Sequence, residues 1–144
     1  MDIRPITDGY AVSPQIDPGD LPEIAARGFV TVICNRPDAE VGPDQASDAI
    51  RKAAEAAGMS FVFNPVVNGA MGPDEVDAQA RTIEGANGPV LAYCRSGTRS
   101  CFAWAFGAVE TMPVEDIVAA GGQAGYDLGP AVPQLRAMAE NGRG

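Results

Sequence analysis

The sequence predicts an α/β protein in which a mostly parallel sheet is flanked by helices. Short apolar runs alternate along the chain with longer segments whose apolar residues recur at helical spacing. Two of these runs, 29–33 and 89–93, lack polar alternation, which is typical of strands buried on both faces of a parallel sheet. A chain of 144 residues is long enough to bury a proper core, and we expect one domain over residues 1–144.

The first half of the chain predicts two helices and a strand between them. Asp20 is expected to cap the first helix, Glu23 completes a capping box, and Gly28 fits the position just past the helix end. A strand follows at 29–33. A proline opens the second predicted helix, which covers 43–57.

The second half predicts two more strands and further helices. These are a strand at 60–63, a helix that begins at 72, a strand at 89–93, and helices at 101–109, 113–118 and 134–139. The glycine-rich stretch 121–127 is expected to be the most flexible part of the interior of the chain. Parallel strands place their carboxyl ends at one edge of the sheet, so three strand ends are expected to line one pocket: residues 34–36, which begin with Cys34, residues 64–68, which begin with Asn64, and Cys94.

The loop over residues 93–100, Tyr-Cys-Arg-Ser-Gly-Thr-Arg-Ser, carries the strongest chemical signal. A tight strand-to-helix turn points backbone N–H groups and the positive end of the helix dipole at one place. Cys94 at that place should be a thiolate near neutral pH and a nucleophile. Arg99 can hold an anion in front of the sulfur with two parallel hydrogen bonds. This spacing favours a nucleophile loop over the alternative, a surface turn with an incidental buried thiol.

The other residues of the loop are expected to assist these two. Ser100 either donates its hydroxyl to the sulfur as a third catalytic residue or simply caps the helix. Gly97 permits a backbone conformation that is closed to residues with a Cβ. The side chains of Arg95 and Thr98 face either substrate or solvent. Four residues are assigned to substrate-anion binding: Arg95, Ser96, Gly97 and Thr98.

The remaining cysteines allow fewer conclusions. Cys34, at the end of a strand beside the Cys94 strand, is either a resolving thiol or a simply buried residue. Cys101 is expected to be a small core residue of the helix after the loop. Near Cys34, Arg36 and Asp38 are expected either to form an ion pair at the pocket rim or to contribute nothing measurable.

Composition excludes several classes of function. The net charge of −9 argues against nucleic acid and anionic membranes as partners, disfavours large polyanionic substrates and admits a small anionic substrate. Three widely spaced cysteines and no histidine argue against a metal site, a disulfide framework and a Cys–His dyad. No cofactor is therefore expected. The N-terminus does not resemble a signal peptide and no apolar run is long enough to span a membrane, so a cytoplasmic location is expected.

The segment CRSGTRS resembles the active loop shared by cysteine-dependent phosphatases and rhodanese-type sulfurtransferases. Four further segments, 6–15, 21–28, 29–38 and 88–94, are similar to the β-lactamase-hydrolase-like protein, phosphatase-like domain family. That family is a bacterial branch of the dual-specificity phosphatase fold whose members are also described as sulfurtransferases. The resemblance implies a cysteine-phosphatase-like fold. Some members carry a fused metal-dependent hydrolase-like domain active on sulfur compounds, so a separate persulfide-oxidising enzyme is a possible partner.

Three departures from the phosphatase pattern bear on the chemistry. Four residues instead of five separate the cysteine from the arginine, Tyr93 replaces the usual histidine, and residues 64–70 contain no carboxylate where a general-acid aspartate is usual. Loss of a general acid costs about 10²–10⁴-fold in rate, whereas persulfide transfer needs no protonated leaving group. We therefore predict that the protein transfers sulfur from a sulfane-sulfur substrate through a Cys94 persulfide. The alternatives are a phosphatase acting on small phosphate esters through a phosphocysteine, and a non-catalytic anion- or persulfide-sensing module.

Overall fold

The computed structural model describes residues 1–143 and has a five-stranded sheet at its centre. The strands are β1 (Arg4–Thr7), β2 (Tyr10–Ser13), β3 (Thr31–Cys34), β4 (Ser60–Phe63) and β5 (Val90–Tyr93), in the spatial order β1-β2-β5-β3-β4. β1 pairs antiparallel with β2, and the other neighbouring pairs are parallel. The predicted α/β fold with a mostly parallel sheet is confirmed.

Helices cover both faces of this sheet. They are α1 (Leu21–Ala26), α2 (Ser47–Ala56), α3 (Pro73–Gly85), α4 (Thr98–Ala108), α5 (Val114–Gln123) and α6 (Val132–Arg143). α1 and α2 pack on one face, and α3 to α6 pack on the other. No helix within residues 1–143 is long and apolar enough to cross a membrane.

The central strand β5 explains why the cysteine loop is held firmly. All four of its residues are buried, as the apolar run predicts. Leu91 and Tyr93 face α1 and α2, while Val90 and Ala92 face the larger core on the other side. Neighbours on both edges and cores on both faces fix the end of β5, and therefore the start of the loop.

The first predicted helix begins where expected and the second does not. Asp20 occupies the N-cap position of α1, but its side chain accepts a hydrogen bond from the backbone N–H of Asp17, 2.9 Å away, in the preceding 3₁₀ turn Pro18–Asp20 and does not cap α1 itself. The second predicted helix is interrupted: a 3₁₀ turn covers Pro43–Gln45, and Ala46 is extended before α2 begins. Gly28 does occupy the position past α1, with a φ of +99°.

The glycine-rich stretch 121–127 is helical at its start, although it is the stretch predicted to be the most flexible. α5 continues to Gln123 because Gly121 packs closely against Leu128 and the Cys101 sulfur, where a larger residue would collide with Leu128. Close packing thus outweighs the low helix propensity of glycine. The last helix is also longer than the predicted 134–139 segment.

Candidate active site

The cysteine loop joins β5 to the first turn of α4. Cys94 is buried directly after the strand, and its sulfur accepts a hydrogen bond from the backbone N–H of Gly97 at 3.1 Å. α4 begins at Thr98, three residues before the predicted helix start, so Arg99 and Ser100 belong to its first turn. The positive end of the α4 dipole therefore lies close to the loop, as an anion site requires.

Gly97 is required in this loop for two reasons. Its φ is +92°, a left-handed conformation that favours glycine. A Cβ at this position would also collide with the hydroxyl of Tyr126. That hydroxyl donates to the carbonyl oxygen of Ser96 at 2.9 Å, so Tyr126 braces the loop from the segment after α5. Tyr126 lies within the stretch 121–127, for which the sequence predicted only flexibility.

The exposed residues of the loop form its outer rim. The side chains of Arg95, Ser96 and Thr98 are exposed. The hydroxyls of Ser96 and Thr98 lie 2.9 Å apart, which gives the rim two adjacent polar groups. The anion-binding role of these three residues remains a prediction.

Arg99 is buried and held by three hydrogen bonds. Its Nη1 donates to the carbonyl oxygen of Val66 at 2.7 Å and to Oε2 of Glu40 at 2.9 Å, and its Nη2 donates to Oε1 of Glu40 at 2.7 Å. None of these bonds uses Nε. Glu40, and to a smaller extent the neighbouring Cys94, raise the pKa of Arg99. These bonds anchor the far end of the guanidinium and leave its Nε–H for the anion that Arg99 is predicted to bind.

Glu40 is the functional residue that sequence reasoning missed. It lies in the 3₁₀ turn Asp38–Glu40 after β3, and its carboxylate also accepts from Nε of Arg36 at 3.1 Å. Hydrogen bonds from Arg99 and Arg36 hold the pKa of Glu40 below its ordinary value. The predicted partner of Arg36, Asp38, instead accepts hydrogen bonds from the backbone N–H and hydroxyl of Ser47. An ionised Glu40 cannot donate a proton, so its role is to position Arg99.

We predict that Glu40→Gln lowers stability in a pH-dependent way. Because the pKa of Glu40 is depressed in the folded protein, its contribution is present above the unfolded-state pKa and lost as the pH falls through the folded-state value. The carboxylate is 29% exposed, so the loss at pH 7 should be about 0.5–1 kcal/mol. Urea unfolding at pH 7 and pH 3 measures the difference in the free energy of unfolding between the variant and the wild type. A difference from wild type that is equal at both pH values would contradict the ion-pair role, and Glu55→Gln on the exposed face of α2 is the matched control.

A buried polar network lies beneath the loop. The Ser100 hydroxyl donates to Oδ1 of Asn35 at 2.8 Å, rather than to the Cys94 sulfur. Gln79 on α3 joins this network at its centre, with hydrogen bonds to Asn35, to the Asn64 side chain and to the Tyr10 hydroxyl. The Tyr10 hydroxyl in turn donates to the carbonyl oxygen of Ser100 at 2.8 Å. The network ties the ends of β3 and β4 to the start of α4.

We predict that Gln79→Leu destabilises the protein by about 3 kcal/mol. The Leu side chain is similar in size, but it leaves several buried polar groups of Asn35, Asn64 and Tyr10 short of partners. Chemical denaturation measures the loss. Gln45→Leu, at an exposed hydrogen bond to Asp17, should change stability by less than about 0.5 kcal/mol. Equal effects of the two substitutions would show that the network does not support the loop.

The other two cysteines lie on opposite faces of the sheet. Cys34 pairs in register with Tyr93 and faces α1 and α2, and burial raises its pKa. The buried Tyr93 hydroxyl beside it has no hydrogen-bond partner among the described residues. Cys101 lies in the larger core, where burial raises its pKa to about 12, in agreement with the core role predicted for it. A resolving role for Cys34 stays a prediction.

The strand ends do converge beside the loop. Asn35 and Asn64 meet beneath it, and the carbonyl oxygen of Val66 contacts Arg99. Beside Arg99 and Thr98 lies a cavity of about 350 Å³ that has no acidic residue among its described lining. Of the strand ends predicted to line one pocket, only Val66, Val67 and Asn68 line this cavity, whereas Cys34, Asn64 and Cys94 do not. No cluster of three or more potential metal ligands occurs within residues 1–143.

The fold and the loop together define the class of cysteine-phosphatase-like proteins. Within that class, the chain belongs to the family of the β-lactamase hydrolase-like protein, phosphatase-like domain, whose sequence profile matches residues 2–111. This confirms the family that the sequence resembles.

Individual relatives agree with this assignment. A β-lactamase hydrolase-like protein from Xylella fastidiosa (strain Temecula1 / ATCC 700964) is 33% identical over 141 residues, which cover 96% of this chain and 33% of the relative. This chain therefore spans about a third of the length of that curated relative. A solved structure of a candidate phosphatase from Neisseria meningitidis Z2491 is 35% identical, with a TM-score of 0.83 and coverage of 96% and 99% of the two chains. Tk-PTP shares the fold alone, at 17% identity and a TM-score of 0.76, with coverage of 97% of both chains.

These findings bear on the predicted chemistry. The family and the related structures are phosphatase-like, which fits the alternative phosphatase interpretation better than the predicted sulfur transfer.

Proposed function

We propose that the protein is a cysteine-dependent phosphatase that hydrolyses phosphate monoesters through a phosphocysteine at Cys94. The observation that carries this proposal is the anchored Arg99 beside the Cys94 sulfur at the start of α4. A buried thiol and a fixed guanidinium at a helix N-terminus form an anion site with a nucleophile at its base. The phosphatase-like family and the 35% identical Neisseria meningitidis structure support the same class of reaction.

The reaction proceeds in two displacements. The Cys94 thiolate attacks phosphorus, the P–O bond to the leaving group breaks, and the departing oxyanion takes a proton from water. Water then attacks the phosphocysteine, the P–S bond breaks, and inorganic phosphate and the thiolate are released. The Nε edge of Arg99 and the N–H groups of the loop and of the first turn of α4 balance the charge of the transferred phosphoryl group.

The leaving group determines which esters react. No carboxylate occurs in residues 64–72, and Glu40 is held ionised by its two arginines. A leaving alkoxide would therefore depart without a general acid, at a cost of about 10²–10⁴-fold. Aryl phosphates, whose leaving groups are stable as anions, are the better substrates.

Sulfur transfer through a Cys94 persulfide is the second candidate function. The same absence of a general acid near the loop favours it, because a thiolate or sulfite leaving group needs no proton. The cradle of four residues between Cys94 and Arg99 also suits one terminal sulfur. In this reaction the thiolate attacks the sulfane sulfur of thiosulfate, sulfite leaves, and a second thiol or cyanide removes the outer sulfur.

One experiment separates these two functions. The protein is incubated with 4-nitrophenyl phosphate, and separately with thiosulfate, and each sample is followed by product release and by intact-protein mass spectrometry. Cys94-dependent phosphate release without a sulfur adduct supports the phosphatase. A Cys94 adduct of one sulfur atom, about 32 Da, that cyanide removes, together with no phosphate release, would overturn the proposal in favour of sulfur transfer.

A further inference from the structure

Beside the anion site lies a cavity that takes no part in the two displacements of the proposed reaction. Its volume is about 350 Å³, within the range of small-molecule sites. Arg99 and Thr98 are among its lining residues, with Asn68 and Gln134 as further polar members. Most of the remaining lining residues are apolar: Val66, Val67, Met71, Phe102 and Phe106.

The cavity continues into a second one of about 590 Å³ between α3, α4 and α6. The two share Met71, Phe106 and Gln134, so an apolar path leads away from Arg99 along the surface of α4. The charged residues that line the second cavity, Asp77 and Glu110, are both acidic. An anionic tail would be repelled there, whereas an uncharged apolar tail would not.

We infer that the two cavities bind the organic part of the substrate, and that this part is an uncharged, apolar group such as an alkyl-substituted aromatic ring. The inference rests on the proposed phosphatase function. The phosphoryl group sits at Cys94 and Arg99, the ring occupies the first cavity against Phe102 and Phe106, and a longer chain passes Met71 into the second. Nucleotides and sugar phosphates, with polar or charged bodies, are disfavoured by the same walls.

A series of 4-alkylphenyl phosphates tests this inference. The 4-methyl, 4-propyl and 4-hexyl compounds have leaving groups of nearly equal acidity and differ in apolar length. We expect kcat/KM to rise along the series by up to about fourfold per buried methylene. Val67→Asp, at a lining residue that is 57% exposed and so tolerates a carboxylate, should flatten the rise. Met71→Glu should flatten it only between propyl and hexyl.

Phe63→Asp is the matched control, because it adds the same charge at an exposed apolar residue outside both cavities. It should keep the full rise along the series. A rise that is equally flattened by Phe63→Asp and Val67→Asp would overturn the inference, since the effect would then come from net charge.

Binding separates this inference from the proposed function. Calorimetry measures the Kd of the same three compounds for the Cys94→Ser protein, which cannot turn them over. Affinity that rises with chain length without hydrolysis by the wild type supports the apolar site and contradicts the phosphatase. Hydrolysis and affinity that are constant along the series support the phosphatase and overturn the apolar site.

Discussion

Cys94→Ser is expected to abolish turnover of 4-nitrophenyl phosphate, with a loss of at least about 10³-fold. The serine hydroxyl stays protonated at neutral pH and has no histidine to activate it, because the chain contains none. The N–H of Gly97 and the dipole of α4 can stabilise an anionic sulfur but cannot replace a general base. Steady-state phosphate release measures the loss.

The control for this variant is the equally buried Cys101, which lies in the core away from the loop. Cys101→Ser places a hydroxyl among apolar residues and should lower stability while retaining activity. Cys94→Ser should show the opposite pattern, a nearly unchanged melting temperature and no turnover. Retained turnover in the Cys94 variant would contradict both catalytic mechanisms.

The parts of the site that follow from local sequence were predictable. The unbroken apolar run before Cys94 predicts the buried strand, and Gly97 predicts the left-handed turn. The convergence of the strand ends follows from parallel topology alone. In each case the information lies within a few residues or in the order of the elements.

The residues that brace the loop were not predictable in the same way. Glu40 lies in a 3₁₀ turn and Tyr126 lies in a glycine-rich stretch, and neither has a motif that marks it. Each reaches the loop across a large separation in the chain, 59 residues for Glu40 and 30 for Tyr126. Such contacts depend on how α4 and α5 pack and on where the β3–α2 connection turns, which no local pattern specifies.

The boundary errors have a similar origin. Capping signals at Asp20 and the proline at position 43 were both real turn signals, but each belongs to a 3₁₀ turn next to the helix. Gly121 lies in the stretch predicted to be the most flexible, because glycine weakens a helix, yet it belongs to α5 and packs closely against Leu128. Tertiary packing therefore decides where these elements begin and end.

Arg99→Lys is expected to lower kcat/KM for 4-nitrophenyl phosphate by about 10²-fold. A lysine ammonium can reach either Glu40 or the substrate, but it cannot hold Glu40 and Val66 with its far end while presenting a second planar edge to the anion. The affinity for a competing oxyanion such as vanadate should fall in parallel. Steady-state kinetics with vanadate inhibition measures both.

Arg27→Lys is the matched control, because Arg27 is exposed in an ion pair with Glu23 of α1 and the chemical change is identical. Its effect on kcat/KM should stay within about threefold, as expected of a surface charge.

The double variant Arg99→Lys/Glu40→Gln tests whether Glu40 acts by positioning Arg99 or has an independent role. If Glu40 acts by aiming Arg99, its loss should add little once the guanidinium is gone. Additive losses would instead mean that Glu40 contributes through some contact other than Arg99. The conclusion that Glu40 positions Arg99 would then be wrong.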